Sequence, residues 1–410
     1  MKKFPEGFLF GAATSAHQVE GDLHNDWTEW EKENAIRLAR EATQKLNYLQ
    51  NWDAIKEIAA NPEKYISGKA ADHYSRYEED FKIAKELGHN ATRLSIEWSR
   101  VEPEEGKFDE NEIEHYKRVI QKLLELDIEP FVTLWHWPIP IWLRNIGGWQ
   151  NKKITNYFVR YVEKMVTALP DVKFWITLNE PELWANKAYM IGDWPPQKRN
   201  PFIYWRVLQN LIKVHTKAYG VIKKINPHSS VGIAKNNVYF EAYKNKFINR
   251  LLKRIFDCWW NFYFLNKINN HHDFIGLNHY FHHRINYGFN KNENKKVSDM
   301  GWELYPEGLY YALKEVSRYK KPIYITENGL ADAHDTQRAW FITEYLKNVL
   351  KAIDEGVDVR GYLHWSLLDN FEWDKGFWPR FGLVEVDYKT YGRQIRESAF
   401  LYKKIIEQGL

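Results

Sequence analysis

In the stretch FWITLNEPELW, residues 174–184, a strand-like run is followed directly by polar residues. Residues 174–178 are apolar, aromatic or β-branched, as in a buried strand. Asn179, Glu180 and Pro181 then end the run, because proline cannot donate to a sheet ladder. A carboxylate at this point is either a solvated charge in a turn or a functional acid at a strand end. The rest of the sequence distinguishes these two interpretations.

Seven similar runs recur along the chain, with amphipathic segments between them. Residues 79–88 and 111–127, for example, carry apolar residues at three- and four-residue spacing, as helices require. This alternation predicts parallel strands joined by crossover helices. Together with residues 172–180, the strand-like runs cover residues 8–16, 91–98, 129–137, 230–237, 273–280, 322–329 and 359–367.

Eight βα units can close into a barrel or lie open in a doubly wound sheet. We favour the barrel, because polar side chains fall at the C-terminal ends of the runs, and in a barrel those ends converge on one mouth. No glycine-rich phosphate loop follows the first strand. The prediction is an α/β fold, a (β/α)8 TIM barrel forming a single domain over residues 1–410, with insertions 31–66 and 286–299 on the functional face. The strand-end side chains are Gln18, His136, Asn179, Glu180, Asn278, Glu327 and Asn328.

The composition limits the class of protein. Hydrophobic residues make up 44% and charged residues 27% of the 410 residues, which is typical of a globular protein with a substantial core. The net charge is only +4, and Lys and Arg are mixed with Asp and Glu, which argues against a nucleic-acid surface. The 19 Trp, 25 Tyr and 22 Phe supply flat apolar rings of the kind that stack on sugars. No apolar run is long enough to predict a membrane span.

The cysteine content and the N-terminus bear on the compartment. Cys258 is the only cysteine, so an internal disulfide is excluded and a reducing compartment, the cytoplasm, is expected. Residues 1–16, MKKFPEGFLFGAATSA, imitate a signal peptide. Pro5, Glu6 and Gly7 interrupt the stretch before a short apolar part, so we do not expect cleavage.

A second run, YITENG at residues 324–329, also ends in a glutamate, Glu327. In a barrel the fourth and seventh strands lie across from one another, so Glu180 and Glu327 can face each other over a pocket. Paired carboxylates without a metal cluster indicate glycoside hydrolysis, in which one carboxyl is neutral while the other is ionised.

Five motifs resemble those of glycoside hydrolase family 1, the retaining β-glycosidases. They are FLFGAATSAHQVEG (8–21), TLNEP (177–181), ITENG (325–329), LLDNFEW (367–373) and RFGLVEVD (380–387), and they extend over essentially the whole chain. The resemblance implies a (β/α)8 barrel with Glu180 as general acid/base and Glu327 as nucleophile. The short chain and IEWSRVEP (96–103) are similar to compact archaeal members.

The two roles make different physical demands. A retaining nucleophile must be anionic and lie about 5–5.5 Å from the acid. Arg93 and Tyr280, at neighbouring strand ends, are candidates to stabilise the charge of Glu327. Glu180 must instead keep its proton, and both burial and the charge of Glu327 would raise its pKa.

The resemblance also implies a set of sugar-binding residues. Asn179 is expected to donate to a 2-OH, Gln18 and Glu372 to bond vicinal hydroxyls, and Trp365 to form a floor. A lone histidine such as His136 can also be a satisfied core residue, but its strand-end position favours sugar contact. An ionised Glu372 would repel phosphate, so an unphosphorylated hexoside is expected. The full set is Gln18, His136, Trp137, Asn179, Asn278, Tyr280, Trp365, Glu372, Trp373 and Phe381.

Other signals are weighed against simpler interpretations. His279 stands where the family more often has an aromatic hydroxyl, and the short region 238–272 predicts an open aglycone side. Residues 249–268 are basic and aromatic at helical spacing, which is typical of an interfacial membrane helix, but we favour an outer barrel helix between the fifth and sixth strands. The histidine pairs 271–272 and 282–283 are expected in solvated loops, with no metal.

The predicted function is therefore an exo-acting retaining β-glycosidase that hydrolyses unphosphorylated β-D-glucosides or β-D-galactosides without a cofactor. Its expected partner is a small-molecule glycoside; no nucleic acid is expected, and a homo-oligomer is compatible with the sequence. One alternative is a transglycosylating enzyme of the same family, which uses the same ester. Another is an inactive glycan-binding relative, although such relatives usually lose one carboxylate and both are present here.

Overall fold

The computed structural model describes residues 2–410 and contains twelve β-strands. They are β1 (Leu9–Ala13), β2 (Ala91–Ser95), β3 (Glu129–Thr133), β4 (Phe174–Asn179), β5 (Ser230–Asn236), β6 (Tyr239–Ala242), β7 (Phe274–Asn278), β8 (His282–Ile285), β9 (Ile323–Asn328), β10 (Val359–Trp365), β11 (Val384–Val386) and β12 (Arg393–Ile395).

Eight of these strands close into a parallel barrel. Strands β1, β2, β3, β4, β5, β7, β9 and β10 follow one another around it, and β10 pairs back onto β1. The predicted (β/α)8 barrel is confirmed, and each of the eight predicted runs contains one barrel strand. The remaining strands form two small sheets, β6 with β8 and β11 with β12, that the sequence did not predict.

The helices alternate with the barrel strands and surround them. Helices α4 and α6 correspond to the predicted amphipathic segments. The helices are α1 (Ala16–Val19), α2 (Asp26–Lys45), α3 (Trp52–Ala59), α4 (His73–Glu86), α5 (Trp98–Val101), α6 (Glu110–Glu125), α7 (Ile141–Asn145), α8 (Ile154–Ala168), α9 (Pro181–Ala185), α10 (Pro201–Ile225), α11 (Phe247–Phe256), α12 (Tyr263–Ile268), α13 (Pro306–Val316), α14 (Arg338–Asp354) and α15 (Glu397–Gln408).

Helix α6 illustrates why these segments are helical. Asp109 caps its N-terminus by accepting from the backbone N–H groups of Asn111 and Glu112. Its apolar residues then recur on one face, and that face is buried. The buried apolar residues of α6 are Ile113, Tyr116, Val119, Ile120 and Leu123.

An aromatic cluster fills the barrel near the N-terminal ends of its strands. Phe131 of β3 stacks on Phe174 of β4 with ring centroids 4.3 Å apart. Tyr324 of β9 reaches across the barrel to within 5.1 Å of the Phe131 ring and 5.3 Å of the Phe274 ring. This aromatic floor closes one end of the barrel, so a cavity is left only at the other end.

Close approach of the first two strands depends on a glycine. Gly11 of β1 is in register with Ala91 of β2. A Cβ at Gly11 would lie 1.7 Å from the Ala91 carbonyl oxygen, so no other residue allows the strands to pack in this way.

The first insertion lies on the functional face. Residues 31–66 contribute to α2, all of α3 and a 3₁₀ turn at Pro62–Tyr65. Within the insertion, the Lys64 carbonyl accepts from the Phe377 backbone N–H at 3.1 Å, next to the segment that carries the cavity residues Trp373 and Lys375. Just before the insertion, Trp27 in the first turn of α2 packs on Trp373, with ring centroids 4.6 Å apart. The second insertion, residues 286–299, follows β8 and contains no helix or strand in the described chain.

The segment 249–268 only partly matches its favoured interpretation. It falls on α11, a π-helical turn at Asp257–Phe262 and α12, between the fifth and sixth barrel strands as predicted. Phe264 and Leu265 of α12 are buried, whereas Leu251 and Ile255 of α11 are exposed. Only the C-terminal half therefore packs as an outer barrel helix. Within residues 2–410, no helix combines the length and apolar character needed to span a membrane.

The expectation of solvated loops for the histidine pairs is wrong for two of the four residues. His272 is buried, and its Nδ1 lies 3.1 Å from the Ile268 carbonyl oxygen. His282 is buried in β8, where its ring nitrogens contact Glu303 at 2.6 Å and Glu241 at 3.0 Å. Because both ring nitrogens have a carboxylate partner, the imidazole can be buried without losing its hydrogen bonds.

Candidate active site

Glu180 and Glu327 are buried on the walls of one cavity of about 250 Å³ at the C-terminal ends of the strands. Glu180 directly follows β4 and precedes Pro181, the first residue of α9. Its φ of 43° lies in the left-handed region, which turns the chain sharply from strand to helix. Glu327 belongs to β9 and is in register with Asn278 of β7.

The turn after Glu327 requires a glycine. A Cβ at Gly329 would lie 1.8 Å from the Trp365 carbonyl oxygen at the end of β10. The ENG sequence therefore lets β9 and β10 approach closely behind the carboxylate.

Glu327 is held by a cation and a phenol. Arg93 Nη1 donates to Glu327 Oε1 in a buried ion pair, and the Tyr280 hydroxyl donates to Oε2 at 2.8 Å. Burial raises the pKa of Glu327, but the Arg93 charge and the donors on Tyr280 and Asn278 oppose that rise. These contacts stabilise the ionised carboxylate.

Glu180 has only neutral partners. Asn278 Nδ2 donates to its Oε1 at 2.9 Å, and Asn236 Nδ2 donates to the same oxygen at 3.1 Å. Among residues 2–410, no Lys or Arg forms an ion pair with Glu180. Burial, followed by the negative charge of Glu327, raises the pKa of Glu180 to about 8. The two carboxyls are thus divided, with the proton on Glu180 and the charge on Glu327.

Most of the predicted site residues line this cavity, and two do not. Arg93 and Asn278 lie behind the carboxylates, where Arg93 Nη2 and Asn278 Nδ2 both donate to Asn179 Oδ1, at 2.7 and 3.1 Å. Asn278 was predicted to bind substrate; the structure instead places it as a residue that positions Glu180. The predicted residues on the cavity wall are Gln18, His136, Trp137, Asn179, Glu180, Tyr280, Glu327, Trp365, Glu372, Trp373 and Phe381.

His136 differs from a satisfied core histidine. Its Nε2 accepts from Asn179 Nδ2 at 2.9 Å, since Asn179 Oδ1 is already used as an acceptor. The proton is thereby assigned to Nδ1, which is buried and has no partner among the described residues. Burial and the Arg93 charge lower the pKa of His136 well below its usual value, so the ring is neutral. The neutral ring thus lies on the cavity wall, with Nε2 engaged by Asn179 and a buried Nδ1–H that has no partner among the described residues.

Glu372 is not the anion that the sequence led us to expect. Gln18 Nε2 donates to its Oε2 at 3.3 Å. Burial and the charges of Asp374 and Glu327 nevertheless raise the pKa of Glu372 to about 8. At neutral pH the Glu372 carboxyl is mostly protonated, so it can donate a hydrogen bond to a hydroxyl. Because it carries little negative charge, it repels a phosphate only weakly.

An aromatic wall forms one side of the cavity. Trp137 and the parallel ring of His17 pack against Trp373, with ring centroids 4.5 and 5.3 Å away. Trp194 packs on Trp137 at 4.6 Å. The wall is therefore built from four separate parts of the chain, and Trp27 of α2 also packs on Trp373, at 4.6 Å.

Several cavity residues escaped the sequence analysis. Asn236 ends β5, so the strand-end rule that selected Asn179 would have found it. Met300 and Trp302 come from an irregular loop, where periodicity gives no signal. The unpredicted residues are Leu183, Lys187, Trp194, Asn236, Phe281, Met300, Trp302, Asp374 and Lys375. In residues 2–410, no group of three or more His, Cys, Asp or Glu side chains is arranged to hold a metal ion.

Comparison with known proteins places this arrangement in a family. The sequence profile described as Glycosyl hydrolase family 1 matches residues 1–266 and 250–409. β-Glucosidase A from Thermotoga maritima is 34% identical, over 100% of this chain and 99% of its own. A 6-phospho-β-galactosidase from Clostridium acetobutylicum is 30% identical, over 99% of this chain and 97% of its own.

A solved structure agrees in fold as well as in sequence. The β-glycosidase from Pyrococcus horikoshii superimposes with a TM-score of 0.87 at 38% identity, covering 99% of this chain and 95% of its own. Matches over whole chains, the shared barrel and the paired glutamates together show that the chain belongs to glycosyl hydrolase family 1.

Proposed function

We propose that this chain is an exo-acting retaining β-glycosidase that hydrolyses unphosphorylated β-D-glucosides or β-D-galactosides. One observation supports this most directly: a single cavity holds an ion-paired glutamate, Glu327, and a glutamate with a pKa of about 8, Glu180. A double displacement needs this division of charge in its first step.

In the first step Glu327 attacks the anomeric carbon. The bond from that carbon to the aglycone oxygen breaks, and the proton of Glu180 passes to this oxygen as it leaves. The product is a glycosyl ester of Glu327 and a free alcohol. Asn179, fixed by Arg93 and Asn278, presents its amide beside the reacting sugar.

In the second step the proton moves in the opposite direction. Once Glu327 is esterified its charge is gone, so the pKa of Glu180 falls and the ionised carboxylate takes a proton from water. As this proton is transferred, the water oxygen attacks the anomeric carbon and the bond from that carbon to Glu327 breaks, which regenerates the Glu327 carboxylate and releases the sugar with its β configuration.

Exo-action is supported by the small size and the burial of the cavity. Both glutamates are buried on the walls of a space of about 250 Å³, which leaves little room for sugar units on both sides of the cleaved bond. A glycan is therefore expected to enter by its terminal residue.

The choice of an unphosphorylated sugar follows the similarity to β-glucosidases rather than the charge at the site. Asp374 is ionised, because Lys375 and Lys187 oppose the effect of burial and lower its pKa below the usual range. Both lysines line the same cavity, however, and Lys375 Nζ pairs with Asp374 at 2.8 Å, so the local charge does not select against a phosphate. β-Glucosidase A from Thermotoga maritima is 34% identical to this chain, against 30% for the 6-phospho-β-galactosidase. Because a 6-phospho-β-galactosidase is among the relatives, this part of the proposal needs its own test.

The mechanism is tested by following hydrolysis of p-nitrophenyl β-D-glucoside by proton NMR. β-Glucose should form first and then mutarotate; α-glucose as the first product would refute retention. A parallel panel compares glucoside, galactoside and their 6-phosphates, and faster turnover of a 6-phosphate would refute the substrate choice. Added alkanol gives the share of transglycosylation. A cytoplasmic location is part of the proposal, supported by the lone Cys258.

A further inference from the structure

The outer surface of α11 exposes a continuous row of large apolar side chains. Their spacing places them on one side of the helix, which continues into the π-helical turn. We call this row the apolar stripe; it consists of Phe247, Ile248, Leu251, Ile255 and Trp259, exposed by 71, 50, 49, 53 and 42%.

The stripe continues onto the neighbouring helix. Trp205 of α10 lies parallel to Trp259, with ring centroids 6.2 Å apart and an angle of 17° between the rings. Phe202, one turn earlier on α10, is 84% exposed. Single exposed apolar residues are ordinary on protein surfaces, but a contiguous set marks an interaction site.

The same region carries a strong excess of positive charge. Residues 194–256 contain thirteen Lys or Arg and a single acid, Glu241, although the whole chain is nearly balanced at 58 to 54. Glu241 is already held by His282 and Arg284. Three of the thirteen cations are paired with acids outside this segment: Lys223 with Asp273, Lys235 with Glu182, and Lys253 with Asp257 and Glu315. The other ten form no ion pair within residues 2–410, so the segment is still basic.

Two of these cations lie beside the apolar stripe. Arg250 and Arg254 are exposed and four residues apart on α11, so they project from one side of the helix. Neither forms an ion pair within residues 2–410. The sequence of α11, FINRLLKRIF, contains no acid at all.

We infer that the apolar stripe, with Phe202 and Trp205, docks on an anionic lipid surface. The apolar side chains enter the boundary between headgroups and acyl chains while the flanking cations meet lipid phosphates. Trp205 and Trp259 are of the residue type that concentrates at such boundaries. Helix α11 lies in the plane of the surface rather than across it.

Two other occupants fit less well. A symmetric contact with a second copy would bring Arg250 and Arg254 against the same cations, with no acid on α11 to pair them. A nucleic acid would bind the cations through its phosphates. Its phosphates and base edges would not, however, cover the exposed Ile and Leu side chains of the stripe.

The test is cosedimentation of the full chain with lipid vesicles. Wild type should bind vesicles of equal parts phosphatidylcholine and phosphatidylglycerol, more weakly as salt rises, and should bind pure phosphatidylcholine at least tenfold less. I248E/I255E and R250E/R254E should each reduce binding at least tenfold. Hydrolysis of a soluble aryl glucoside should be unchanged in both variants, since none of these residues lines the catalytic cavity.

Matched controls use exposed residues elsewhere. I36E/F400E makes the same chemical change at positions exposed by 74 and 48%, and K152E/K153E reverses two exposed charges. Both should bind like wild type, and an equal loss in these controls would overturn the proposal.

Three further outcomes would also overturn it. Salt-independent binding to both kinds of vesicle would remove the role of anionic lipid. A dimer that I248E/I255E dissociates, without vesicle binding, would make the stripe a self-association surface. Binding of an RNA fragment that only R250E/R254E abolishes, again without vesicle binding, would assign the cations to nucleic acid.

Discussion

Arg93 and Glu327 form an ion pair in which both side chains are buried, while Glu180 in the same cavity has amide partners only. The asymmetry decides which carboxyl holds the proton. It also separates the expected phenotypes of substitutions at the two glutamates.

Replacing Glu327 by alanine should abolish turnover of p-nitrophenyl β-D-glucoside, because no group remains to form the ester. Azide with an activated aryl glucoside should restore product, since the small anion fits where the carboxylate was. One displacement inverts the centre, so the product is the α-glycosyl azide, identified by NMR. Wild-type-like activity of Glu327→Ala without azide would contradict the assignment.

Glu180→Ala should respond to the leaving group. An alkyl glucoside needs protonation at its leaving oxygen, so its kcat/KM should fall by about 10²- to 10⁴-fold. A dinitrophenyl glucoside leaves without a proton, and its kcat/KM should fall far less. Steady-state kinetics on both substrates checks this, and equal losses would argue against an acid role. With azide, this variant should give the β-glycosyl azide, since two displacements occur.

The dependence of kcat/KM on pH should be bell-shaped, with the alkaline limb set by Glu180 and the acid limb by Glu327. Glu180 must be protonated, and its pKa is raised to about 8, so kcat/KM should fall as pH rises through about 8. Glu327 must be ionised, and its pKa lies above the usual value, so kcat/KM should fall again as pH drops through that pKa.

Tyr280→Phe should move the acid limb. The change removes a donor to ionised Glu327, so the pKa of Glu327 should rise by about one unit, given the usual strength of a hydrogen bond to a charged group. Tyr402→Phe is the matched control, because its hydroxyl donates to backbone carbonyls of the barrel wall at 3.1 Å. A similar shift in both variants would contradict a specific role for Tyr280.

A buried ion pair behind the acid should matter for stability. Lys235 Nζ lies 3.3 Å from Glu182 Oε1, with the two side chains 0 and 4% exposed. Lys235→Met leaves a buried carboxylate without its partner and should lower the free energy of unfolding by about 3–5 kcal/mol. Lys32→Met breaks an exposed pair and should cost below about 1 kcal/mol. Denaturant unfolding of both variants measures the difference, and K235M/E182M should recover most of the loss.

The sequence was most informative where the pattern is local. The eight barrel strands were predictable because apolar β-rich runs alternate with amphipathic segments, and Glu180 and Glu327 because each ends such a run. Met300 and Trp302 were not predictable, since an irregular loop brings them to the cavity. The Lys235–Glu182 pair was missed because two charged residues in sequence give no sign that folding will bury them together.

The distribution of Lys and Arg along the chain was predicted wrongly for a related reason. The near balance of Lys and Arg with Asp and Glu over the whole chain was taken as a uniform distribution. Residues 194–256 depart from it strongly, and only the exposure of α11 shows that this departure faces solvent. Glu372 is the opposite case, because its ionisation depends on burial that no sequence pattern reports.

The aromatic floor of Phe131, Phe174, Phe274 and Tyr324 closes the barrel at the N-terminal ends of its strands, so the barrel opens to solvent only at the other end. In the proposed double displacement, every species must pass through that opening. The alcohol is then expected to leave first, water to enter along the same path, and the monosaccharide to leave last. Free sugar should accordingly compete with incoming substrate for the innermost position.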